Sequence, residues 1–358
     1  MGAILSPHSL LEQQRHFALA HTSDIASVRR HARQLSDRLA FSEIQAGQLA
    51  IVVTEVATNV LKHAGHGTLI LTPVQRQGRA AIEVLALDQG PGLANLSQSL
   101  RDGISTAGTA GNGLGAIKRM SQEFDAYSAA GKGAAFFACV HGELASFAPD
   151  AADTGPARHL QYGAICVPVA GEEECGDAWA VQAGRDSVSM VVADGLGHGP
   201  DAAIASYAAV RAFEASPGMA PAPLLEKMHQ AMRATRGAAV AVGRLDLVSN
   251  VIRFAGIGNI SAIVIDHGAR RQLVSHNGIV GNNMRKVQEF EQPWPEDGLG
   301  LYIMCSDGIA TQWDLQNYPG LQYSHPSLIA GVLFRDFARG RDDATVLVVK
   351  HGRGGQAA

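Results

Sequence analysis

The sequence predicts an α+β protein of two domains, with helices on a mixed sheet in the first and an antiparallel sandwich flanked by helices in the second. Three observations point there. Apolar residues recur at helical spacing between residues 24 and 63, and short apolar runs bounded by turn residues dominate the chain after residue 160. Between these halves, residues 145–159 carry two prolines, small side chains and no amphipathic period, which marks a linker.

Ile25, Val28, Ala32, Leu35 and Leu39 keep the three-and-four spacing of an amphipathic helix over 24–39, and a second helix is expected over 42–63. Apolar runs at 68–74 and 80–87, separated by a polar turn containing Gly78, read as paired strands. A helix over 116–123 follows a glycine-rich loop, and a strand over 134–140 closes the domain. In the second half, strands are expected at 162–169, 178–183, 187–193, 238–246, 251–257, 262–265, 300–305 and 345–350. Only two long helices are expected among them, at 200–214 and 223–235, the first opening on Pro200, where a missing N–H costs nothing. The resulting division is an N-terminal extension (1–22), a first domain (23–144), the linker, a second domain (160–352) and a tail (353–358).

With 358 residues and 46% hydrophobic content, the chain is long enough for two cores. Its net charge of -4 supplies no basic stripe for nucleic acid or an acidic membrane, which turns attention to protein and small-molecule partners. Cys139, Cys166, Cys175 and Cys305 form no CxxC pair and read as reduced thiols of a cytoplasmic protein. No apolar run approaches the roughly 18 residues of a bilayer span, and the first residues lack the order of a signal peptide.

Glu55, Asn59 and Lys62 or His63 share one face of the second helix. Alone, such a face is as readily a solvated stripe. Downstream, however, Asp88, Gly90 and Gly92 (DQGPG) follow a strand, Gly111, Gly113, Leu114 and Gly115 (GNGLG) lead into a helix, and Gly131 and Gly133 close the series. A carboxylate at a strand end can accept from an adenine amino group. Glycines ahead of a helix let backbone N–H groups approach phosphates at its positive end, and an amide oxygen can help hold Mg²⁺ on those phosphates.

This ordered set resembles the GHKL ATPase superfamily and, over residues 23–140, its anti-sigma-factor serine kinases of the RsbT type. The segments 102–106 (DGIST) and 115–120 (GAIKRM) sharpen the likeness. The resemblance implies an ATP site in which Asn59 binds Mg²⁺, Asp88 binds adenine, Gly90 and Gly92 form the nucleotide wall, and Gly111, Gly113 and Gly115 meet the phosphates. Lys62 and Leu114 join this nucleotide-binding set. Glu55 is then the base that activates a substrate hydroxyl. Many relatives carry Thr or Ser after the last GxG; here Ala134 stands there.

In the second half, Asp177, Asp194, Asp307 and Asp342 each stand beside a turn glycine or at the edge of an apolar strand. One Asp-Gly at a strand end is usually a turn. Four at separate strand boundaries suggest convergence, and carboxylates suit Mg²⁺ or Mn²⁺ better than zinc. The series GD, DGLGHG, SDG and RDDATVLVV resembles the PPM phosphatase superfamily in its SpoIIE and RsbX-like branch, over residues 162–350. That likeness implies an α-β-β-α sandwich and two Mn²⁺ or Mg²⁺ ions. Asp194 would bridge the ions, the Gly195 carbonyl would bind one, Asp177 would hold a coordinated water, and Asp307 and Asp342 would complete the coordination of the second ion, with Asp343 a lesser candidate. His198 either donates a proton to the leaving oxygen or positions its loop. Cys175 replaces a Gly common before the GD pair.

Together the resemblances imply a bifunctional regulator of bacterial stress signalling, a serine/threonine kinase joined to a metal-dependent phosphatase. Its expected partner is a STAS-domain phosphoprotein or anti-sigma antagonist, with a homodimer possible and neither nucleic acid nor membrane involved. The alternative is a phosphatase whose N-terminal domain binds partners in response to ATP without phosphorylating them.

Overall fold

The computed structural model describes residues 3–5, 14–76, 79–93, 113–144, 160–295 and 299–352. By contacts the chain sorts into two units: Gln13–Ala148 with Ser327–Arg335, and Met1–Glu12 with Pro149–Pro326 and Asp336–Ala358. The second includes β1 (Ala3–Leu5). The first contains β2 (Arg15–Leu19), α1 (Thr22–Arg38), α2 (Glu43–Ala64), β3 (Gly67–Arg76), β4 (Arg79–Asp88), α3 (Gly113–Met120), β5 (Glu123–Ser128) and β6 (Ala134–Leu144).

Local chemistry sets the helix ends. Asp24 Oδ2 accepts from Ala20 and His21 N–H at the start of α1. Ser42 and Gln45 form a capping box at the start of α2, and Gly65, at φ +77, ends it in the left-handed region. At the end of α3, the Ser121 hydroxyl donates to the Ile117 carbonyl at 2.8 Å. Glu123 begins the next strand, so the helix predicted at 116–123 is shifted three residues toward the N-terminus.

The sheet order is β2-β3-β4-β6-β5, and all the described pairs are antiparallel where a mixed sheet was expected. Val28, Leu35, Leu49, Val52, Val56 and Val60 pack one face of this sheet through Leu69, Leu71, Ile82, Val84 and Val140. Each such side chain contributes roughly 1.5–3 kcal/mol by leaving water. Among the described residues α2 is also long and apolar enough to cross a bilayer, with a mean hydropathy of 1.3 over 18 residues. The sequence reading anticipated no such run. In the fold, seven of its side chains are buried.

Residues 327–335 complete the unit from far along the chain. Ser327 Oγ donates to Glu83 Oε2 at 3.1 Å, and a β-carbon added to Gly331 would stand 2.7 Å from a Leu85 methyl.

The second unit contains β7 (Leu160–Val167), β8 (Asp177–Ala183), β9 (Ser187–Gly195), α4 (Pro200–Glu214), α5 (Pro221–Ala231), β10 (Ala238–Asp246), β11 (Val251–Ile257), β12 (Ser261–Asp266), β13 (Ala269–Leu273), β14 (Phe290–Pro293), β15 (Leu299–Cys305) and β16 (Ala344–Gly352). Its sheets run β1-β8-β9-β10-β11-β14 and β13-β12-β15-β16-β7. Trp179, Val181, Met190, Phe254, Val264, Tyr302 and Leu347 fill the space between them. Ala209, Phe213, Leu225 and Met228 of α4 and α5 cover the other face of the first sheet.

A third long helix, α6 (Pro326–Phe337), joins the two expected ones. Its sequence PSLIAGVLFRDF is apolar on nearly every side, so no single period stands out. β13 and β14 escaped notice because ARRQL and FEQP place mostly exposed polar residues on sheet edges.

Candidate active sites

In the first unit, the last turns of α2 face the start of α3. A β-carbon on Gly113 would lie 2.9 Å from Glu55 Oε2 and 3.6 Å from Asn59 Oδ1. Both polar side chains therefore stand at the positive end of a helix that anions favour. Lys62 is exposed, one turn beyond Asn59. Leu114 is half-buried and packs against the core. Gly115 is buried, while Gly111 and the DGIST segment lie outside the described residues.

Asp88 ends β4 in a buried position. Its Oδ1 accepts from Gly90 N–H at 2.9 Å and Ala134 N–H at 3.1 Å. The backbone of Ala134 thus orients the carboxylate although its side chain offers no hydroxyl. Gly90 rests against Ala64, at the end of the same α2 that carries Asn59. Gly92 and Gly133 take φ near +70, and β-carbons there would come within 2.2 Å of the Ala129 carbonyl and 2.0 Å of the Asp88 carbonyl. No L side chain fits either position. Ser128, unremarked in the sequence, ties the two loops by accepting from Leu93 N–H and donating to the Gly133 carbonyl.

In the second unit, Asp177 and Asp194 are direct partners across β8 and β9. Asp307 and Asp342 lie on the turns after β15 and before β16. Asp194 feels all three other carboxylates, so the four predicted residues converge. Burial, then the charges of Asp177, Asp307, Asp342 and Asp343, push Asp194 up to about 9. Burial pushes Asp177 up to about 7, against the opposing hydrogen bonds of Ser306 and Thr345 and with the charges of Asp343 and Asp342 adding to it. Asp307 is also raised, by burial and by Asp342. Asp177 Oδ2 is buried and has no hydrogen-bond partner among the described residues. An orphaned carboxylate oxygen amid like charges, in a set of hard oxygen donors, fits divalent Mg²⁺ or Mn²⁺.

Asp343 has a different position. Its oxygens accept from Val169 N–H at 2.7 Å and Gly176 N–H at 2.8 Å, anchoring the loop that delivers Asp177. Asp343→Ala is expected to lose about 2–3 kcal/mol of stability by stranding one buried and one half-buried donor and to weaken metal affinity about tenfold or more. Denaturant unfolding and metal titration read these effects.

Asn259 donates to Asp307 Oδ2 at 2.6 Å. Gly195 sits at a close approach, where a β-carbon would meet the Ala202 carbonyl of α4 at 2.1 Å. His198 is exposed, with Nδ1 2.7 Å from Glu172 Oε1, a partner that no motif signalled. Cys175 Sγ is 3.5 Å from Cys166 Sγ, and none of the four cysteines is in a disulfide.

The raised carboxylates carry a pH signature. From their ordinary 3.8 up to about 7 and 9, Asp177 and Asp194 hold protons more tightly in the folded state than in the unfolded chain. Their contribution to the stability of metal-free protein is full below about pH 4 and lost as pH rises through those folded values. Melting temperature in chelator is therefore expected to fall between pH 5 and 9, and Mn²⁺ is expected to flatten that slope. Calorimetry at matched pH checks both.

Residues 18–135 match the family described as histidine kinase-like ATPase domain, and residues 184–352 match stage II sporulation protein E (SpoIIE). The serine/threonine-protein kinase RsbT of Bacillus subtilis (strain 168) is 33% identical over 110 residues, which make up 31% of this chain and 83% of RsbT. A chain from a bacterial stressosome structure is 27% identical, with a TM-score of 0.49, covering 53% of this chain and 98% of its own. RsbX in complex with magnesium is 22% identical, with a TM-score of 0.49, covering 54% of this chain and 95% of its own.

Proposed function

The chain belongs to the family of the serine/threonine kinase RsbT and carries a SpoIIE domain behind that part, and on this premise we propose that it sets the phosphorylation state of a protein serine or threonine in both directions. The observation that carries the phosphatase half is the convergence of Asp177, Asp194, Asp307 and Asp342 around the unpartnered Asp177 Oδ2. The kinase half rests on Glu55 and Asn59 at the start of α3, with Asp88 oriented by two backbone donors.

In this reading the domains span 23–144 and 160–352, joined by the linker at 145–159. Asp88 accepts from the adenine amino group through Oδ2, Asn59 helps hold Mg²⁺ on the ATP phosphates, and Glu55 takes the proton of the substrate hydroxyl. Gly113, at the start of α3, presents its backbone N–H to the phosphates. In the second domain, Asp177, Asp194, Asp307, Asp342 and the Gly195 carbonyl hold two Mn²⁺ or Mg²⁺ ions. Such ions polarise a phosphoryl group and activate water. His198, oriented by Glu172, protonates the leaving serine oxygen. The partner is a STAS-domain phosphoprotein in the cytoplasm.

A candidate STAS-domain protein incubated with full-length chain, ATP and Mn²⁺ tests this, with each domain inactivated in turn. Glu55→Gln is expected to leave only dephosphorylation, and Asp194→Asn only phosphorylation. ATP binding with no transfer to any STAS substrate would remove the kinase in favour of an ATP-responsive docking domain. Phosphoserine hydrolysis that persists in Asp194→Asn would sink the metal assignment.

A further inference from the structure

On the face of the first sheet opposite α1 and α2, Cys139 and His141 project from β6. They are two apart in the strand, while the intervening Val140 joins the helix-side core. Glu123 is the register partner of Cys139 on the edge strand β5. A thiol, an imidazole and a carboxylate therefore meet at one point. Their ligand atoms all lie within 4.8 Å of one another, and His141 Nε2 is 3.2 Å from Glu123 Oε1. We propose that Glu123, Cys139 and His141 form a Zn²⁺ site, separate from the carboxylate cluster of the phosphatase.

The donor set selects the metal. Mg²⁺ and Mn²⁺ prefer oxygen shells, whereas Zn²⁺ takes thiolate, imidazole and carboxylate together, at bond lengths of about 2.0–2.3 Å. A tetrahedral shell places its ligand atoms roughly 3–4 Å apart, so closing this triad needs side-chain shifts of about an ångström or less. Two residues at i and i+2 of a strand with a cross-strand neighbour give three ligands on one side, leaving the fourth position to water. Cys139 and His141 are buried, but the Glu123 side chain is 33% exposed at the sheet edge, which supplies an entry path.

Charge balance also favours the ion. One thiolate and one carboxylate neutralise Zn²⁺, with a neutral imidazole as third ligand. The neighbouring Arg76–Glu83 ion pair, opposite Cys139 on β4, is itself neutral. Binding releases the thiol proton to solvent, and the ion is buried without net charge. Its mechanical effect is to clamp β5 to β6. The hairpin they form carries residues 129–133, and Gly133 there abuts the Asp88 carbonyl, so Zn²⁺ steadies the adenine side of the nucleotide pocket.

Full-length protein is stripped with chelator, saturated with MgCl₂ to occupy oxygen sites, and titrated with CoCl₂ and then ZnCl₂. A near-ultraviolet thiolate-to-cobalt charge-transfer band with the amplitude of a single thiolate ligand per chain is expected, displaced by Zn²⁺. Cys139→Ala should abolish the band, and Asp194→Asn should leave it intact. Glu123→Gln, a conservative change at the partly exposed edge that guards against misfolding of the buried variants, should weaken Zn²⁺ binding about tenfold. Absence of the band in wild type, its survival in Cys139→Ala, or unchanged Zn²⁺ affinity in Glu123→Gln overturns the proposal.

Discussion

Asp194→Asn is expected to cut phosphoserine hydrolysis by about 10³-fold, the equivalent of roughly 4 kcal/mol of transition-state stabilisation. Asp194 is the position at which all the other site carboxylates are felt, and β9 holds it directly opposite Asp177. The amide keeps the shape and removes the charge that a cation needs. Because it removes a metal ligand from several crowded carboxylates, Asp194→Asn should raise the melting temperature of metal-free protein while erasing the increase that Mn²⁺ brings; a merely structural role would leave that increase in place. Hydrolysis of a phosphopeptide and paired thermal melts separate the two. Retained turnover, or an intact Mn²⁺ shift, would contradict the assignment.

Glu55→Gln is expected to slow phosphotransfer by about 10²–10⁴-fold, the usual contribution of a general base. ATP affinity should change little, because the proposed adenine contact is Asp88, whereas Glu55 faces Gly113 at the start of α3. A rate and an affinity that fall together would make Glu55 a nucleotide-binding residue instead. Phosphatase turnover serves as an internal control and should be unaffected. Radiolabelled transfer beside equilibrium ATP binding makes the comparison.

Much of this was legible in the chain because its signals are local. The period of 24–63 marks α1 and α2, alternation and turn residues mark most strands, and each glycine motif sits next to the residue it serves. The unpredicted parts have physical explanations. β13 and β14 are edge strands with largely exposed polar faces, so no alternating apolar stripe betrays them. β5 has an alternating sequence, but it begins within three residues of the helix that precedes it, and the helical pattern masked its start. The supports of the site were equally hidden. Asn259 reaches Asp307 across 48 residues, Asp343 reaches Val169 across 174, and Glu172 holds His198 without any shared motif.

By itself, then, the sequence determined that two domains are present, which residue types converge in each, and which family each resembles, because motif order and hydrophobic period are properties of neighbours along the chain. Tertiary structure alone decided that Asp343 anchors loops through two backbone N–H groups, that Asp177 keeps an unpartnered oxygen, and that residues 327–335 complete the first unit. It also brought Glu123, Cys139 and His141 to one point. Each of these depends on burial and on contacts between distant residues, where desolvation and charge are set by whatever the fold places alongside.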